Sequence, residues 1–532
     1  MVDLAREVLA APPILATFLA IGLGYLVGRI NIGGFSLGVG AVLFIGLAIG
    51  AFAPEALIIG PISHTGLVMF LYGIGILYGR QFFDGMASAA GRKYGLLALV
   101  AAIAGLLVAL GLGQVFGIKV GHALGLYAGS MTSAATLQAA LDVIRNSEPS
   151  VGYSVAYPFG VIGPLLCMYV LTRRRQPKLP LQAQRFHMGE VTLGDSFAGR
   201  TLDDLGKELP PGVQVTMVRK GRQNVLASGD LMLASGDAIT VISEREDMLT
   251  EVAGRLGRLG PERIVKERSP LDYVRVFVGK AAVVGIPLAQ LPLPAGFPTH
   301  LLHVKRHDME IVPTPDLMLE LGDRVGVLTP PEHEQEIRRH FGDTVKATAE
   351  LSYVSLGIGM VMGILLGLVP IPVPGLGVFT LGMAGGPLVV ALMLGKLRRT
   401  GPLLWVMPVP ANIVLCNLGL ALFLAAIGIN AGQPFVRAVS ASGLTMLLVS
   451  VAILSTTVLI VLLVGRCLMK IPRDELVDVV CGVTRNPIPV HSARAGASAR
   501  ADTAYAMILP TATIVNVVAV QIAGLVIATG AG

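Results

Sequence analysis

The sequence predicts a polytopic α-helical membrane protein made of two inverted repeats, with two small α+β cytoplasmic domains inserted between them. Each repeat is expected to hold about five spans and one re-entrant hairpin. The 532 residues are 53% hydrophobic and only 14% charged, with a mean hydropathy of +0.72, whereas soluble domains carry about 25% charged residues. The apolar stretches approach the roughly 20 residues that cross a bilayer, and they fall into two halves separated by a polar middle.

The apolar stretches define the predicted order of elements. In the first half, spans are predicted near residues 13–27, 38–53, 66–78, 96–112 and 157–171. In the second half, spans are predicted near residues 354–369, 378–394, 403–427, 443–464 and 505–528. The predicted domains are therefore a first membrane repeat at 1–177, α+β domains at 178–263 and 264–349, and a second membrane repeat at 350–532.

Each half contains one polar interruption just before its last span. These stretches are residues 129–142 (GSMTSAATLQAALD) and 482–498 (GVTRNPIPVHSARAGAS). Paired interruptions at corresponding places in two membrane halves are the best sequence pointer to the substrate site of a transporter. The sequence therefore predicts two re-entrant hairpins that meet between the halves and hold the substrate.

Basic residues at the ends of the spans predict the orientation of the chain. If the N-terminus is outside and the hairpins do not cross, most basic clusters face the cytoplasm together, as the positive-inside rule requires. The clusters are Arg29, Arg80, Arg92, Lys93, Arg173, Arg174, Arg175, Lys396, Arg398, Arg399, Arg466, Lys470 and Arg473. The resulting odd number of crossings inverts the second repeat, places residues 178–349 in the cytoplasm and leaves both termini outside.

The two membrane halves also resemble each other in sequence. Residues 47–50 (LAIG) correspond to residues 392–395 (LMLG), and Ala156-Tyr157-Pro158 corresponds to Ala504-Tyr505-Ala506. Similar stretches in corresponding positions indicate a tandem duplication, which is common among transporters.

The polar middle contains a repeat of its own. Gly236-Asp237 recurs as Gly322-Asp323, 86 residues later (322 − 236 = 86). Short alternating runs such as residues 213–218 predict strands, and residues 245–256 and 331–341 predict closing helices. Two tandem α+β domains follow from this pattern.

Several motifs carry a resemblance to a known family. They are residues 33–38 (GGFSLG), 128–133 (AGSMTS), 157–163 (YPFGVIG), 370–375 (PIPVPG) and 381–387 (LGMAGGP). With these motifs the chain resembles the aspartate:alanine exchanger family of transporters over nearly its whole length. The middle domains resemble the TrkA-C type, the C-terminal lobe of potassium-conductance regulator domains.

The resemblance implies a secondary antiporter that works by alternating access. It implies exchange of aspartate for alanine or, in relatives, export of dicarboxylates such as succinate. It also implies a homodimer in the bacterial inner membrane and a regulatory small ligand on the cytoplasmic domains.

The hairpins supply most of the candidate substrate-binding residues. Exposed helix N-termini at a break carry N–H groups and partial positive charge that suit a carboxylate, and hydroxyl and amide groups add donors. The candidates in the hairpins are Ser130, Thr132, Ser133, Thr484, Arg485 and Asn486. The alternative is that the hydroxyl groups only cap helix ends or bond a preceding carbonyl.

Arg485 is the most specific of these candidates. A charge at bilayer depth costs a few kcal/mol and is normally kept for function, and a guanidinium binds a carboxylate through two parallel hydrogen bonds. The alternative is a hairpin close to the cytoplasmic surface, in which Arg485 is an ordinary topology determinant.

The final span of each half adds five candidates. Asp502 precedes the last span, where it either pairs with Arg485 or a cation, or caps the helix. Tyr157-Pro158 and Pro510-Thr511 interrupt the final spans. Proline frees a backbone carbonyl there, which either coordinates substrate or only accompanies a kink.

Other classes of function have less support in the sequence. The scarce aromatic residues and the placement of the basic clusters argue against nucleic-acid binding. The spacing of Cys and His residues predicts no metal site, and no enzyme or cofactor motif is present. A cation channel or cation transporter gated by the cytoplasmic domains stays as an alternative, because residues 150–154 (SVGYS) distantly resemble a potassium filter.

Overall fold

A computed structural model describes most of the chain as two compact units. The described residues are 13–30, 36–58, 60–172, 187–210, 213–221, 223–226, 229–243, 246–260, 272–294, 299–306, 309–311, 313–343, 352–373, 377–485 and 499–530. One unit joins Met1–Pro180 with Ser352–Gly532, and the other is Leu181–Leu351. Two chain segments far apart in sequence therefore fold together into one unit.

The described part of the first membrane segment contains seven α-helices. They are α1 (Pro13–Gly28), α2 (Ala41–Phe52), α3 (Gly60–Ala87), α4 (Ala89–Val115), α5 (Val120–Ser130), α6 (Ala134–Ile144) and α7 (Glu148–Thr172). α5 and α6 are only 11 residues each, about 17 Å by the rise of an α-helix, so neither is long enough to cross a bilayer by itself.

Among the described residues, the second membrane segment contains five α-helices. Its helices are α11 (Tyr353–Leu368), α12 (Gly382–Leu397), α13 (Val409–Leu463), α14 (Arg473–Thr484) and α15 (Ala499–Gly530). α13 is two helices in sequence, because Ser442 has a non-helical backbone (φ −145°, ψ 18°). Its parts are residues 409–441 and 443–463, and α14 is a short helix of 12 residues.

Two short hairpins shift the start of predicted spans in the second segment. Strands β10 (Ile371–Val373) and β11 (Gly377–Phe379) pair before α12, so that helix begins at Gly382 and not near residue 378. Arg399–Thr400 and Leu403–Leu404 pair before α13, which begins after Pro408. Proline lacks an N–H and fixes φ, so these proline-rich stretches favour turns and helix starts over helix interiors.

The apolar character of these helices makes this a membrane protein. Within the described residues, four helical stretches are long and apolar enough to span a bilayer: Gly60–Ala87, Ala89–Val115, Val409–Leu468 and Tyr505–Ile527. The 10–17-residue apolar helices are the shorter members of the same bundle. The coarse prediction of a helical membrane protein is confirmed.

Helices α3 and α13 cross in direct backbone contact at a pair of glycines. A Cβ atom on Gly66 would lie 2.6 Å from the carbonyl oxygen of Gly419, and a Cβ atom on Gly419 would lie 2.6 Å from the carbonyl oxygen of Gly66. Only glycine permits this approach, as is typical of helix crossings in membranes. At this crossing each helix offers a glycine to the backbone of the other.

This crossing yields a prediction about stability. We expect Gly66→Ala to destabilise the folded protein by about 2 kcal/mol, because the added methyl group forces two packed backbones apart. Gly111 on α4 is the matched control, since a Cβ atom there meets nothing within 4 Å. Gly111→Ala should stabilise by about 0.5–1 kcal/mol through helix propensity. Thermal unfolding in detergent measures both, and stabilisation by both substitutions would contradict the close crossing.

Helices α5 and α7 pack equally closely beside the break between α5 and α6. A Cβ atom on Gly129 would lie 2.4 Å from the carbonyl oxygen of Tyr153, and one on Gly160 would lie 2.4 Å from the carbonyl oxygen of Gly129. Tyr127 and Tyr153 are fully buried in the same core. The C-terminal end of α5 therefore packs directly against the backbone of the long helix α7.

The second unit consists of two similar sheet-and-helix domains. The first has strands β1 (His187–Leu193), β2 (Val213–Lys220), β3 (Gln223–Leu226), β4 (Ala238–Ser243) and β5 (Gly257–Leu259), with helices α8 (Leu202–Gly206) and α9 (Glu246–Leu256). The second has strands β6 (Asp272–Phe277), β7 (His300–Arg306), β8 (Met309–Ile311) and β9 (Arg324–Thr329), with helix α10 (Glu334–Phe341). All pairings are antiparallel, in the orders β3-β2-β4-β1-β5 and β6-β9-β7-β8.

The two domains share irregular details as well as topology. The β2–β4 ladder shifts register between Val215 and Met217, and the β7–β9 ladder shifts between Leu301 and His303, each 86 residues later (301 − 215 = 86). A register shift disrupts the ladder locally and is retained as a structural feature. The sequence repeat in the polar middle is therefore a repeat of structure.

One buried ion-pair network distinguishes the second domain. Arg306 donates from Nε to Oδ1 of Asp323 at 2.9 Å and from Nη2 to Oδ2 at 2.8 Å. It also donates to Glu320 at 2.7 Å and to the carbonyl oxygen of Met318 at 2.8 Å. Asp323 is only 2% exposed. The first domain has Lys220 at the position of Arg306 (306 − 86 = 220).

Candidate functional site

The first hairpin breaks between α5 and α6. Thr132 adopts a left-handed backbone with φ 47°, a conformation that L-residues other than glycine and asparagine rarely adopt. Ser133 then caps α6, because its Oγ accepts a hydrogen bond from the backbone N–H of Thr136 at 3.1 Å. Of the predicted site residues, Ser133 therefore has an ordinary capping role.

The second break is the end of helix α14, where the polar stretch 482–498 interrupts the apolar sequence. Arg485 is the residue after the helix and has a left-handed backbone with φ 57° and ψ 32°. Thr484 is buried, and its hydroxyl donates to the carbonyl oxygen of Val480 within the same helix. Asn486 lies outside the described residues, and Asp502 lies on α15 with a side chain outside the described part.

The two breaks are in direct contact. The hydroxyl of Thr132 donates to the carbonyl oxygen of Thr484 at 2.8 Å. In return, Nη1 of Arg485 donates to the carbonyl oxygen of Met131 at 3.3 Å. These hydrogen bonds join residues more than 350 positions apart in the chain. Each break thus uses a side chain to satisfy a backbone carbonyl that the other break exposes.

The guanidinium of Arg485 also forms hydrogen bonds with side chains of helix α15. Its Nε donates to the hydroxyl of Thr513 at 3.1 Å. The amide of Asn516 is assigned in the orientation that satisfies both its oxygen and its nitrogen. In that orientation the oxygen accepts from Nη2 of Arg485 at 3.3 Å, and the nitrogen donates to the hydroxyl of Tyr127 at 2.9 Å. The Tyr127 hydroxyl in turn donates to the carbonyl oxygen of Ala102 at 3.0 Å. Residues from α4, α5, α14 and α15 therefore form one hydrogen-bonded chain.

The surroundings of Arg485 are neutral among the described residues. Its partners there are a hydroxyl, an amide oxygen and a backbone carbonyl, and no described carboxylate forms an ion pair with it. A guanidinium has five N–H donors, and the three described acceptors leave one N–H on each terminal nitrogen without a described partner. Two adjacent N–H groups on a desolvated cation match the two oxygens of a carboxylate.

Three other predicted residues lie on α5 and α7, the helices that pack together beside the first break. Ser130 is fully buried and donates from Oγ to the carbonyl oxygen of Ser450 on α13 at 3.2 Å. Tyr157 on α7 packs against Tyr153 and Phe44, with ring centroids 5.3 and 6.2 Å away. Pro158 lies within α7, beside Tyr157 and half-buried. Ser130 therefore links the end of α5 to α13, and none of the three residues is among the described hydrogen-bond partners of Arg485.

The predicted pair Pro510-Thr511 lies away from the contact between the breaks. Pro510 is buried inside α15, and the hydroxyl of Thr511 donates to the carbonyl oxygen of Met507 on the same helix at 2.8 Å. A Cβ atom on Gly95 of α4 would lie 3.7 Å from the methyl group of Thr511. The helix instead directs Thr513 and Asn516 towards Arg485.

Sequence reasoning missed Tyr127, Thr513 and Asn516. One signal was available: Thr513 and Asn516 are polar residues three positions apart within an apolar span, which places them on one helix face. Both are buried, with 4% and 1% exposure. Tyr127 gave no such signal, because a tyrosine in an apolar helix is ordinary core composition.

Comparison with known families gives matches for both units. The family described as "Predicted Permease Membrane Region", Asp-Al_Ex, matches residues 16–173 and 355–525. The TrkA-C domain matches twice, at residues 188–252 and 273–342. Together these matches cover most of the chain and coincide with its division into a membrane unit and a pair of small domains.

Similar proteins come from several bacteria. An uncharacterized transporter of Geobacter sulfurreducens is 34% identical over 541 residues, covering 97% of this chain and 98% of the relative. An uncharacterized transporter of Symbiobacterium thermophilum is 35% identical, with 97% and 98% covered. One from Corynebacterium efficiens is 33% identical, with 97% and 99% covered.

Proposed function

The chain belongs to the Asp-Al_Ex permease family of transporters and carries two TrkA-C domains, and from this premise we propose that it is a secondary antiporter of small carboxylic acids. The preferred pair is aspartate and alanine, and a dicarboxylate of the succinate type is the alternative substrate. The proposed substrate site lies at the contact between the two helix breaks, with Arg485 as the group that binds the carboxylate.

Among the described residues Arg485 meets only neutral groups, and this observation carries the proposal. Burying an ionised group without a counter-ion is costly, and an intramembrane ionisable residue is a functional-site hypothesis by default. A substrate carboxylate would supply the missing charge and accept the two remaining N–H groups. The hydroxyls of Thr132 and Thr513 flank the same place and add polar groups to orient the substrate.

The packing of the bundle supports alternating access between two inverted repeats. In this proposal α3 corresponds to the first part of α13, at an offset of 353 residues. Gly66 and Gly419 then become equivalent positions (419 − 66 = 353), as do Thr132 and Arg485 (485 − 132 = 353). The reciprocal 2.6 Å contacts of the two glycines are what a two-fold axis through the crossing would produce. Such repeats can rock against each other around a shared site.

The orientation, assembly and regulation of the protein belong to the same proposal. The distribution of basic residues favours cytoplasmic TrkA-C domains and outside termini in the bacterial inner membrane. Family resemblance favours a homodimer and a small regulatory ligand on the cytoplasmic domains.

Counterflow in liposomes tests the exchange. The full-length protein is reconstituted with alanine inside, and uptake of labelled aspartate is measured from outside. We expect aspartate uptake to exceed that of empty liposomes at least about tenfold. In an obligatory exchanger, the site that both substrates share reorients across the membrane only when a substrate occupies it. Liposomes loaded with succinate test the dicarboxylate alternative in the same assay.

Two outcomes would contradict antiport. Equal aspartate uptake by loaded and empty liposomes would exclude obligatory exchange. Potassium flux without dependence on any carboxylic acid would favour the alternative of a cation channel or transporter controlled by the TrkA-C domains.

A further inference from the structure

The amide of Asn516 lies where the acid of a buried ion pair would lie. Its oxygen accepts from Nη2 of Arg485 at 3.3 Å, and its nitrogen donates to the hydroxyl of Tyr127 at 2.9 Å and to the carbonyl oxygen of Ala512 at 3.3 Å. Asn516 is only 1% exposed. A carboxylate has the shape of this amide and is the usual partner of a buried guanidinium, yet the chain carries the neutral group here.

The other described groups at the cation supply no negative charge. The hydroxyl of Thr513 donates to the carbonyl oxygen of Leu509 at 2.7 Å, so it offers only its oxygen to Nε of Arg485. The ionisable side chains close enough to interact electrostatically with the guanidinium are Tyr127, Tyr153 and Tyr505. Tyrosine is uncharged near neutral pH. Among the described residues, the cluster around Arg485 therefore carries one positive charge.

The acidic residues of the neighbouring helices lie far from Arg485 along the chain. Asp478 precedes Arg485 by seven residues on α14, about 10 Å along the helix axis. Asp502 precedes Thr513 by eleven residues on α15, about 16 Å along that axis. Residues 486–498 contain neither Asp nor Glu. Position 516 is therefore a place where one change from amide to acid would neutralise the cation.

The first repeat lacks both the cation and its polar partners. With the proposed offset of 353 residues, the equivalent positions are Thr132 for Arg485 (485 − 132 = 353), Gly160 for Thr513 (513 − 160 = 353) and Gly163 for Asn516 (516 − 163 = 353). A Cβ atom on Gly160 would lie 2.9 Å from Cγ2 of Thr132, so α7 faces the first break as α15 faces the second. The two polar side chains of α15 therefore accompany the cation.

Tyr127 determines which end of the Asn516 amide faces the cation. Its hydroxyl donates to the carbonyl oxygen of Ala102 at 3.0 Å, which leaves the hydroxyl oxygen as an acceptor for the amide nitrogen. The amide oxygen then points to Arg485. A carboxylate at position 516 would need no such orientation, because its two oxygens are equivalent. The surroundings are therefore arranged for an amide.

We propose that Asn516 makes the site select an anion, by giving Arg485 a polar partner without giving it a counter-ion. This assignment rests on the proposed function, in which a substrate carboxylate binds the guanidinium. The hydrogen bond from Nη2 to the amide oxygen orients the guanidinium plane. Because the amide carries no charge, the positive charge remains available to the substrate. Asn516 thus acts through Arg485 as a positioning residue that also determines charge selectivity.

Two substitutions separate charge from hydrogen bonding. Asn516→Asp keeps an oxygen facing Nη2 of Arg485, and its second oxygen can accept from the hydroxyl of Tyr127. Binding of aspartate and succinate to the purified full-length protein, measured by calorimetry, should weaken at least about 100-fold, because two carboxylates would compete for one guanidinium and repel each other. Asn516→Leu removes the acceptor but adds no charge, so affinity should fall by no more than about tenfold.

The order of these two effects distinguishes charge selection from positioning alone. If Asn516 only positioned the guanidinium, Asn516→Asp would be the milder change, because it keeps an acceptor for Nη2. A smaller loss of affinity in Asn516→Asp than in Asn516→Leu would overturn the proposed role.

Thermal unfolding in detergent without any acid tests the same role independently of binding. Asn516→Asp supplies a counter-ion for a buried cation, so its unfolding temperature should exceed that of the wild type. Asn516→Leu should unfold at a lower temperature than the wild type. Added succinate should raise the unfolding temperature of the wild type and leave that of Asn516→Asp unchanged. If Asn516→Asp unfolds at a lower temperature than Asn516→Leu, a carboxylate there does not pair with Arg485 and the assignment is wrong.

Gln433→Glu is the matched control for adding a carboxylate to the bundle. It makes the same change from amide to acid on α13, where the amide donates to the carbonyl oxygen of Ala51 at 3.0 Å, and it should bind the acids as the wild type does. Exchange by the wild type together with wild-type affinity in Asn516→Asp would overturn the role of Asn516 and leave the proposed function intact. A wild-type protein that binds and exchanges no carboxylic acid would overturn the proposed function and this assignment with it.

Discussion

Replacing Arg485 with glutamine should weaken binding of the transported acid roughly 30-fold or more. The substitution removes a charge that meets only neutral partners among the described residues, and loss of one partner of a buried charged hydrogen bond costs about 2–5 kcal/mol. Binding of aspartate, alanine and succinate to the purified protein, measured by calorimetry, checks the prediction. Exchange in liposomes should fall in parallel.

Two controls separate binding from folding. Arg485→Lys keeps the charge but loses the planar pair of donors, so it should recover only part of the affinity. Arg145→Gln is the matched control, because Arg145 also follows a hairpin helix and has nearly the same left-handed backbone, with φ 57° and ψ 28°. Wild-type affinity in Arg485→Gln would remove this residue from the site and leave it as a link between the two breaks.

Replacing Arg306 with methionine should destabilise the second TrkA-C domain by about 3–5 kcal/mol. The change leaves the carboxylate of Asp323, which is only 2% exposed, without its bidentate partner. Removing one partner of a buried ion pair lowers the free energy of unfolding by about 3–5 kcal/mol. Hydrogen exchange of the backbone amides in β7 and β9 within the full-length protein measures the local loss of stability.

The matched control uses the repeat itself. Lys220→Met, at the equivalent position of the first domain, should change stability by no more than about 0.5 kcal/mol. The double variant Arg306→Met with Asp323→Asn should recover part of the loss, because it also removes the unpaired charge. Equal protection in the wild type and in Arg306→Met would show that the network contributes nothing to the domain.

The positions of the helices were largely predictable from local composition. A span needs a long apolar stretch, so the helices 89–115 and 499–530 coincide with predicted spans and extend beyond them at polar ends. Hydropathy predicts the start of α12 near residue 378, four residues before its observed start at Gly382 (382 − 378 = 4). The preceding prolines favour a pair of short strands, which hydropathy does not detect. Hydropathy identifies membrane segments but not their terminal hydrogen bonds.

The contents of the candidate site were less predictable. Arg485 and Thr132 stood out because polar residues interrupt an apolar stretch, and they do contact the opposite break. Ser133 and Thr511 had the same polar character, yet they bond within their own helices. Whether a hydroxyl caps a helix or reaches another element depends on its direction, which composition does not encode.

The sequence by itself determined the membrane class, the family and the two repeated TrkA-C domains, because apolar length, motifs and an 86-residue period are local properties of the chain. Only the tertiary structure decided which residues meet. Thr513 and Asn516 join Arg485 through the packing of α15 beside the end of α14. Such contacts link residues up to several hundred positions apart, and their geometry follows from glycine-mediated helix crossings that bring whole backbones together.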